Sequence, residues 1–129
     1  DKRTVMLSAG EVSYHVGGEG PPVLHAHPAG GVRWDLPQEG LARSHTVFAP
    51  IAPGFDGTRP LEGIDSIPKL ATLWGEFIDK VIGRNCDLIG HSFGGWVAAW
   101  LAILRPDRIE QRRVEDAAVV VAHIRPRVG

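Results

Sequence analysis

Apolar residues along the chain follow two periodicities. Thr4-Val5-Met6-Leu7 and Glu11-Val12-Ser13-Tyr14-His15-Val16 are β-prone runs on either side of Ser8-Ala9-Gly10, which predicts an antiparallel hairpin. After the break at Gly17-Gly18-Glu19-Gly20-Pro21-Pro22, Val23 to His27 has too few polar positions for a sheet with one wet face. It predicts a buried strand feeding the loop Pro28-Ala29-Gly30-Gly31. Asp35 to Arg43 predicts a short helix, and His45 to Ala49 another strand, ended by Pro50 and the turn-forming stretch Pro53-Gly54-Phe55-Asp56-Gly57. From Ser66 to Gly83, Leu70, Leu73, Trp74, Phe77, Ile78 and Val81 share one helical stripe, while Lys69, Thr72, Glu76, Asp79 and Lys80 take the other positions. Ser66 is placed to cap this helix and Gly83 to stop it. Cys86 to Gly90 predicts a brief strand, and Gly95 to Leu104 a helix apolar nearly all round, hence expected to be buried, closed by Arg105-Pro106. Strands alternating with helices at this spacing predict an α/β fold, with a mainly parallel sheet after the opening antiparallel hairpin.

Composition narrows the partners. The chain has 129 residues, 43% apolar and 22% charged, as in one ordinary globular domain and unlike disordered, collagen-like or coiled chains. Lys and Arg number 14 against 15 Asp and Glu, so there is no dense positive field for a phosphate backbone, and nucleic acid is not an expected partner. The longest apolar run, Trp96 to Leu104, is far below the roughly 20 residues of a spanning helix, and Asp1-Lys2-Arg3-Thr4-Val5 has no signal-peptide character. No membrane association and a cytoplasmic location are the resulting expectations. The single cysteine, Cys86, excludes an internal disulfide and a cysteine-cluster zinc site, and reads as a small buried hydrophobe. A start at Asp1 suggests a trimmed chain or a piece of a longer one.

Chemistry concentrates in one turn. Gly90-His91-Ser92-Phe93-Gly94 is a G-x-S-x-G pattern between a predicted strand and a predicted helix, the context in which it forms a nucleophile elbow. The apex of so tight a turn takes a strained conformation, and glycines two residues before and after it remove side chains that would collide with the neighbouring strand and helix. Ser92 would stand above the sheet as nucleophile. The helix begins directly after it, so unpaired N–H groups and the positive end of the helix dipole face the position where negative charge develops in acyl transfer. Phe93 N–H is one predicted oxyanion donor and Ala29 N–H, in the loop after the earlier buried strand, is the other. Gly30 and Gly31 would let backbone approach a substrate closely, and Phe93 would line an acyl pocket.

These residues resemble the α/β-hydrolase fold enzymes, in particular bacterial esterases, thioesterases and carbon-carbon bond hydrolases. Val23 to Pro28 is similar to the family's third strand and oxyanion loop, and Val47 to Gly57 to its fourth strand and Pro-Gly-aromatic loop. Leu88 to Gly95 is similar to the fifth strand and elbow, and Arg105-Pro106-Asp107-Arg108 to the ending of the helix that follows. The resemblance covers about residues 3 to 111. It implies a serine-nucleophile hydrolase of carboxylic esters or related small carbonyl substrates, with no cofactor and no metal. Serine at the apex sets the chain apart from relatives with Asp there, the haloalkane dehalogenases and epoxide hydrolases.

Such enzymes generally continue through three further strands, with an Asp after the seventh strand and a His after the eighth. This sequence stops sooner, which predicts a sheet truncated after its fifth or sixth strand, with an exposed edge through which copies could associate. After Ser92 the only histidine is His123, and the acids are Asp107, Glu110, Glu115 and Asp116. His123 is the candidate base within the chain, the alternative being a histidine outside it. Asp116 cannot orient it directly: seven residues span roughly 23 Å in a strand and about 10 Å in a helix. Residues 1–111 thus read as the N-terminal part of a hydrolase domain. Residues 112–129 read as an atypical tail: either Ala117 to Ala122 supplies a displaced sixth strand ending at His123, or the coding frame or boundary is altered near Gln111.

Other residues carry milder expectations. His25 and His27 share a strand face, but no third metal ligand stands at a suggestive spacing. His91 is expected to point away from Ser92. Asp56 and Arg59 follow the fourth strand near the expected pocket mouth and read chiefly as a solvated loop. Trp34, Trp74, Trp96 and Trp100 read as core or edge packing. A non-catalytic module retaining the fold is the rival to the enzyme reading.

Overall fold

The structure, a computed structural model, describes residues 1–27, 31–32, 36–84, 86–91, 93–104, 109–116 and 119–124; at 36–38, 91, 102, 109–116 and 119–124 only the backbone is described. Seven strands form one mixed sheet in the order β1-β2-β4-β3-β5-β7-β6. β1 (Lys2–Leu7) and β2 (Gly10–Gly17) make the expected antiparallel hairpin, and β2 continues antiparallel to β4 (Thr46–Pro50). β3 (Pro22–Ala26) runs parallel to β4 and to β5 (Cys86–His91), giving the sheet the parallel centre expected of it. Val23, Leu24, Ala26, Val47 and Ala49 are all buried, which accounts for the nearly unbroken apolar runs of β3 and β4.

Beyond β5 the sheet departs from the expected course. Ile109–Asp116, a stretch rich in charge that precedes the expected displaced strand, is itself a strand, β6, and Val119–Ile124 is β7. The crossover through α3 (Phe93–Leu104) brings β6 back in the direction of β5 but one position further out, and β7 returns between them, antiparallel to both. A two-residue connection permits only an antiparallel return, whereas a parallel neighbour requires a crossover of a dozen or more residues. The charges of β6 are tolerated because an edge strand is paired on one side only. The outer flank of β5 is therefore covered, and β1 and β6 are the edge strands.

α2 (Ile67–Phe77) packs on α3, and α1 (Leu36–Ala42) lies along β4. The α2 stripe behaves as its spacing predicts: Leu70, Leu73, Trp74, Phe77 and Ile78 are buried. Ser66 caps its N-terminus, the side chain accepting a hydrogen bond from Lys69 N–H at 3.3 Å. At the other end the coil widens into a π turn over Ile78–Ile82, with Gly83 N–H donating to Ile78 O at 2.8 Å and Gly83 in the left-handed region at φ 71°. Polar ties join this end to the first hairpin. The Glu76 carboxylate accepts from Ser8 N–H and Ser8 Oγ, both at 2.6 Å, and Lys80 Nζ donates to Met6 O at 2.7 Å. Phe77 stands edge-on to Tyr14, Phe48 and Trp74 with centroids 5.1, 6.4 and 6.2 Å away, filling the gap between sheet and helix.

Two expectations about apolar residues part ways here. Cys86 and Trp74 are buried, as read from the sequence. α3, however, is not buried all round: Val97, Ala98 and Leu101 face the core, whereas Trp96 is 66% and Ile103 56% exposed, with Trp100 and Leu104 beside them. Trp34 lies outside the described residues. No described helix is long and apolar enough to cross a membrane.

Phe77→Ala is expected to destabilise the chain by about 3–5 kcal/mol in denaturant unfolding, because the aromatic contacts cannot close around the void. His15, which faces Lys2 across the β1–β2 ladder, has its pKa held below the ordinary 6.5, first by burial and then by the charges of Lys2 and the N-terminus, with Asp56 opposing. The folded chain therefore resists protonation at this site. Stability is complete above pH 6.5 and falls as pH drops below it. His15→Gln should flatten that decline in melting temperatures recorded from about pH 7.5 down to 5.5.

Candidate active site

β3, β4 and β5 are parallel, so their C-terminal ends meet at one rim of the sheet, the rim where α/β folds place ligands. Ser92, the predicted nucleophile, lies outside the described residues, as do Pro28, Ala29 and Gly30; His91 and Phe93 on either side of the first, and His27 and Gly31 on either side of the others, are described. Gly90 ends β5 and Gly94 opens α3. A Cβ at Gly90 would stand 2.6 Å from the Gly94 carbonyl carbon and 2.9 Å from Ala98 Cβ. One at Gly94 would collide with the Ala26 carbonyl group and lie 2.7 Å from His27 O. Both glycines of the motif are thus required by the crossing of strand and helix, the steric demand of a nucleophile elbow.

The same contact brings the start of α3 against the end of β3. Phe93, the first residue of α3, carries one of the N–H groups that has no partner within its helix. Its half-buried ring stacks on Phe55 with centroids 5.6 Å apart and lies 6.3 Å from the imidazole of His27. His27 and Phe55 are 5.1 Å apart, which completes a three-ring cluster drawn from the ends of β3, β4 and β5. A cleft of about 330 Å³ opens beside it, lined by Ala52, Phe55, Ile64, Ile67, Leu70 and Phe93 with Asp65 and Ser66. Phe93 therefore lines an apolar cleft at this rim.

Two polar residues have roles that the sequence reading missed. His27 is 2% exposed, and its Nε2 accepts a hydrogen bond from Ala52 N–H at 2.9 Å, so the ring proton sits on Nδ1 and Nε2 has no lone pair for a metal. Its signal in the sequence was position: a histidine at the end of a buried strand must find a partner. Asp56, read as a residue of a solvated loop, places its carboxylate on Val32 N–H at 2.7 Å. Among the described residues no cluster of three or more His, Cys, Asp or Glu could hold a metal ion.

His123 is not brought to this rim. In the β5–β7 ladder it is the partner of Asp87, near the start of β5, whereas His91, adjacent to Ser92, faces Val119. Four residue steps of strand, about 13 Å, separate the two levels. The expectation placed His123 at the C-terminal end of a strand parallel to β5; β7 runs antiparallel, so its C-terminal end lies at the opposite rim.

The chain belongs to the alpha/beta hydrolase family, whose profile matches residues 16–128. It is 36% identical over 95 residues to the pimeloyl-[acyl-carrier protein] methyl ester esterase of Aeromonas salmonicida, a match covering 71% of this chain and 36% of that enzyme. It is 30% identical over 122 residues to the 2-hydroxymuconate semialdehyde hydrolase of Pseudomonas sp. strain CF600, covering 84% of this chain and 41% of the relative. Among solved structures, the N-acyl homoserine lactonase AidH superposes with a TM-score of 0.73 at 21% identity over 83% of this chain and 42% of that one. The chain thus spans about two fifths of the length of these hydrolases.

Gly94→Ala is expected to cost at least about 2 kcal/mol in urea unfolding, since carbonyl groups cannot move aside as a flexible side chain can. Gly40→Ala in α1, where an added methyl meets nothing within 4 Å, serves as control and should be neutral or slightly stabilising.

Proposed function

We propose that this chain carries the nucleophile-bearing part of a serine hydrolase acting on carboxylic esters or related small carbonyl substrates. The observation that supports it best is the close approach of Gly94 to the end of β3, which sets the start of α3 against that strand end beside an apolar cleft lined by Phe55 and Phe93. In this reading Ser92 Oγ attacks the carbonyl carbon and its proton passes to a base. The oxyanion accepts hydrogen bonds from Phe93 N–H and Ala29 N–H, the alcohol departs with a proton, and water releases the acid from the acyl-enzyme. Phe93 and its neighbours take up the apolar acyl group, while Gly30 and Gly31 give the carbonyl room to approach.

The base is supplied by neither of the two histidines the rim and tail bring to mind. His27 already holds Ala52 N–H, and His123 belongs to the opposite end of the β5–β7 ladder. The proton acceptor in this reading is a histidine outside residues 1–129; without it water takes the Ser92 proton, and acylation and deacylation are both limited by proton transfer. A fold retained for binding alone is the competing outcome.

In a p-nitrophenyl ester assay paired with fluorophosphonate labelling, Ser92→Ala should remove labelling and lower ester cleavage by at least about 100-fold. His123→Ala should leave both within about twofold of the parent. Unchanged cleavage in Ser92→Ala would overturn the enzyme reading; a loss in His123→Ala matching that in Ser92→Ala would place the base at 123.

A further inference from the structure

We propose that Asp56 is a positioning residue for the segment that carries the Ala29 donor, the second half of a two-point clamp by which the turn after β4 holds that segment at both ends. The inference rests on the serine-hydrolase reading given above. On one side His27 Nε2 accepts from Ala52 N–H; on the other, Val32 N–H donates to Asp56 Oδ2 at 2.7 Å. His27 and Val32 are thus each tied to the turn after β4, through bonds whose far ends are only four residues apart in the chain.

Three further features agree with this role. Gly31 is buried at φ +93°, and a Cβ there would lie 2.7 Å from the Asp56 carboxyl carbon, so the carboxylate occupies the space left by the missing side chain. Asp56 itself has φ 50°, the only positive φ among the described non-glycine residues, a conformation that Asp and Asn tolerate better than other side chains. The turn beneath it is fixed internally: Thr58 Oγ1 donates to Phe55 O at 2.7 Å and accepts from Gly54 N–H at 3.1 Å, while Thr58 N–H also donates to Phe55 O, at 2.9 Å. A carboxylate carried on a braced turn fixes the position of the N–H it accepts from; one on a loose turn would not. Because an oxyanion donor must sit within a few tenths of an ångström of the developing charge, releasing one end of its segment should impair the chemical step more than substrate binding.

Four versions of the chain test the proposal: the parent, Asp56→Asn, Asp56→Gly and Asp56→Ala. Asn keeps both an acceptor and the left-handed backbone, Gly keeps only the backbone, and Ala keeps neither. Val32 amide exchange, read by NMR, should quicken by at least about tenfold in the Gly and Ala variants and stay near wild type in Asn. In ester hydrolysis kcat should fall about tenfold in Gly and Ala with KM within about twofold, and Asn should restore it. Unchanged Val32 exchange in Asp56→Gly overturns the clamp whatever the activity. Faster exchange with undiminished kcat overturns its catalytic role. A wild-type chain inert to both ester and fluorophosphonate instead overturns the Ser92 reading and, with it, that role, while Val32 exchange still decides whether the clamp exists.

Discussion

The first turn of α3 lies so close to the end of β3 that only a hydrogen atom fits between Gly94 and the carbonyl groups of Ala26 and His27. Backbone-to-backbone approach of this kind cannot be relaxed by a rotamer change. It fixes where the helix starts, and therefore where the N–H groups of its first turn point. Phe93 is carried by the same constraint onto His27 and Phe55, so one steric condition sets both the polar and the apolar side of the candidate site. Gly90 performs the matching function one turn earlier, letting the strand end pass beneath Gly94 and Ala98.

Around that contact the rim is held by side chains that bond to backbone. His27 on Ala52 N–H and Asp56 on Val32 N–H link strands distant in sequence but parallel and adjacent in the sheet. Such bonds satisfy main-chain donors that lie past the ends of the strands and have no ladder partner, so they stabilise loops where sheet pairing has run out. The stability of the core has a different origin, in the packing of Trp74, Phe77 and Tyr14 between helix and sheet. Rim and core are thus built from different interactions.

Much of this was legible in the sequence because it depends on local pattern. The period of Leu70 to Ile78, the cap at Ser66, the stop at Gly83 and the alternation in β2 each follow from which residues can share a face. The G-x-S-x-G spacing likewise announced a crossing tight enough to exclude Cβ atoms. What was not legible depended on partners far along the chain. Nothing near Asp56 tells that its carboxylate will meet residue 32, and nothing in Ile109 to Ile124 tells that the tail will double back and insert its second strand beside β5. That reversal moved His123 to the wrong rim, and the exposure of Trp96 and Ile103 on α3 likewise reflects what packs around the helix and not its own composition. Ser92, Ala29 and Gly30 enter through the residues beside them.

The π turn at Ile78–Ile82 sets the direction in which the chain leaves α2. Each residue of a regular helix advances the backbone about 100° around the axis, and one extra residue in a turn rotates everything after it by roughly that angle. Lys80 lies within this segment and donates to the Met6 carbonyl, and Gly83, in the left-handed region, ends it. Shortening the segment by one residue would restore a uniform pitch yet aim the exit elsewhere, so the local irregularity acts as an angular adapter between a helix phased to the core and a strand phased to the sheet.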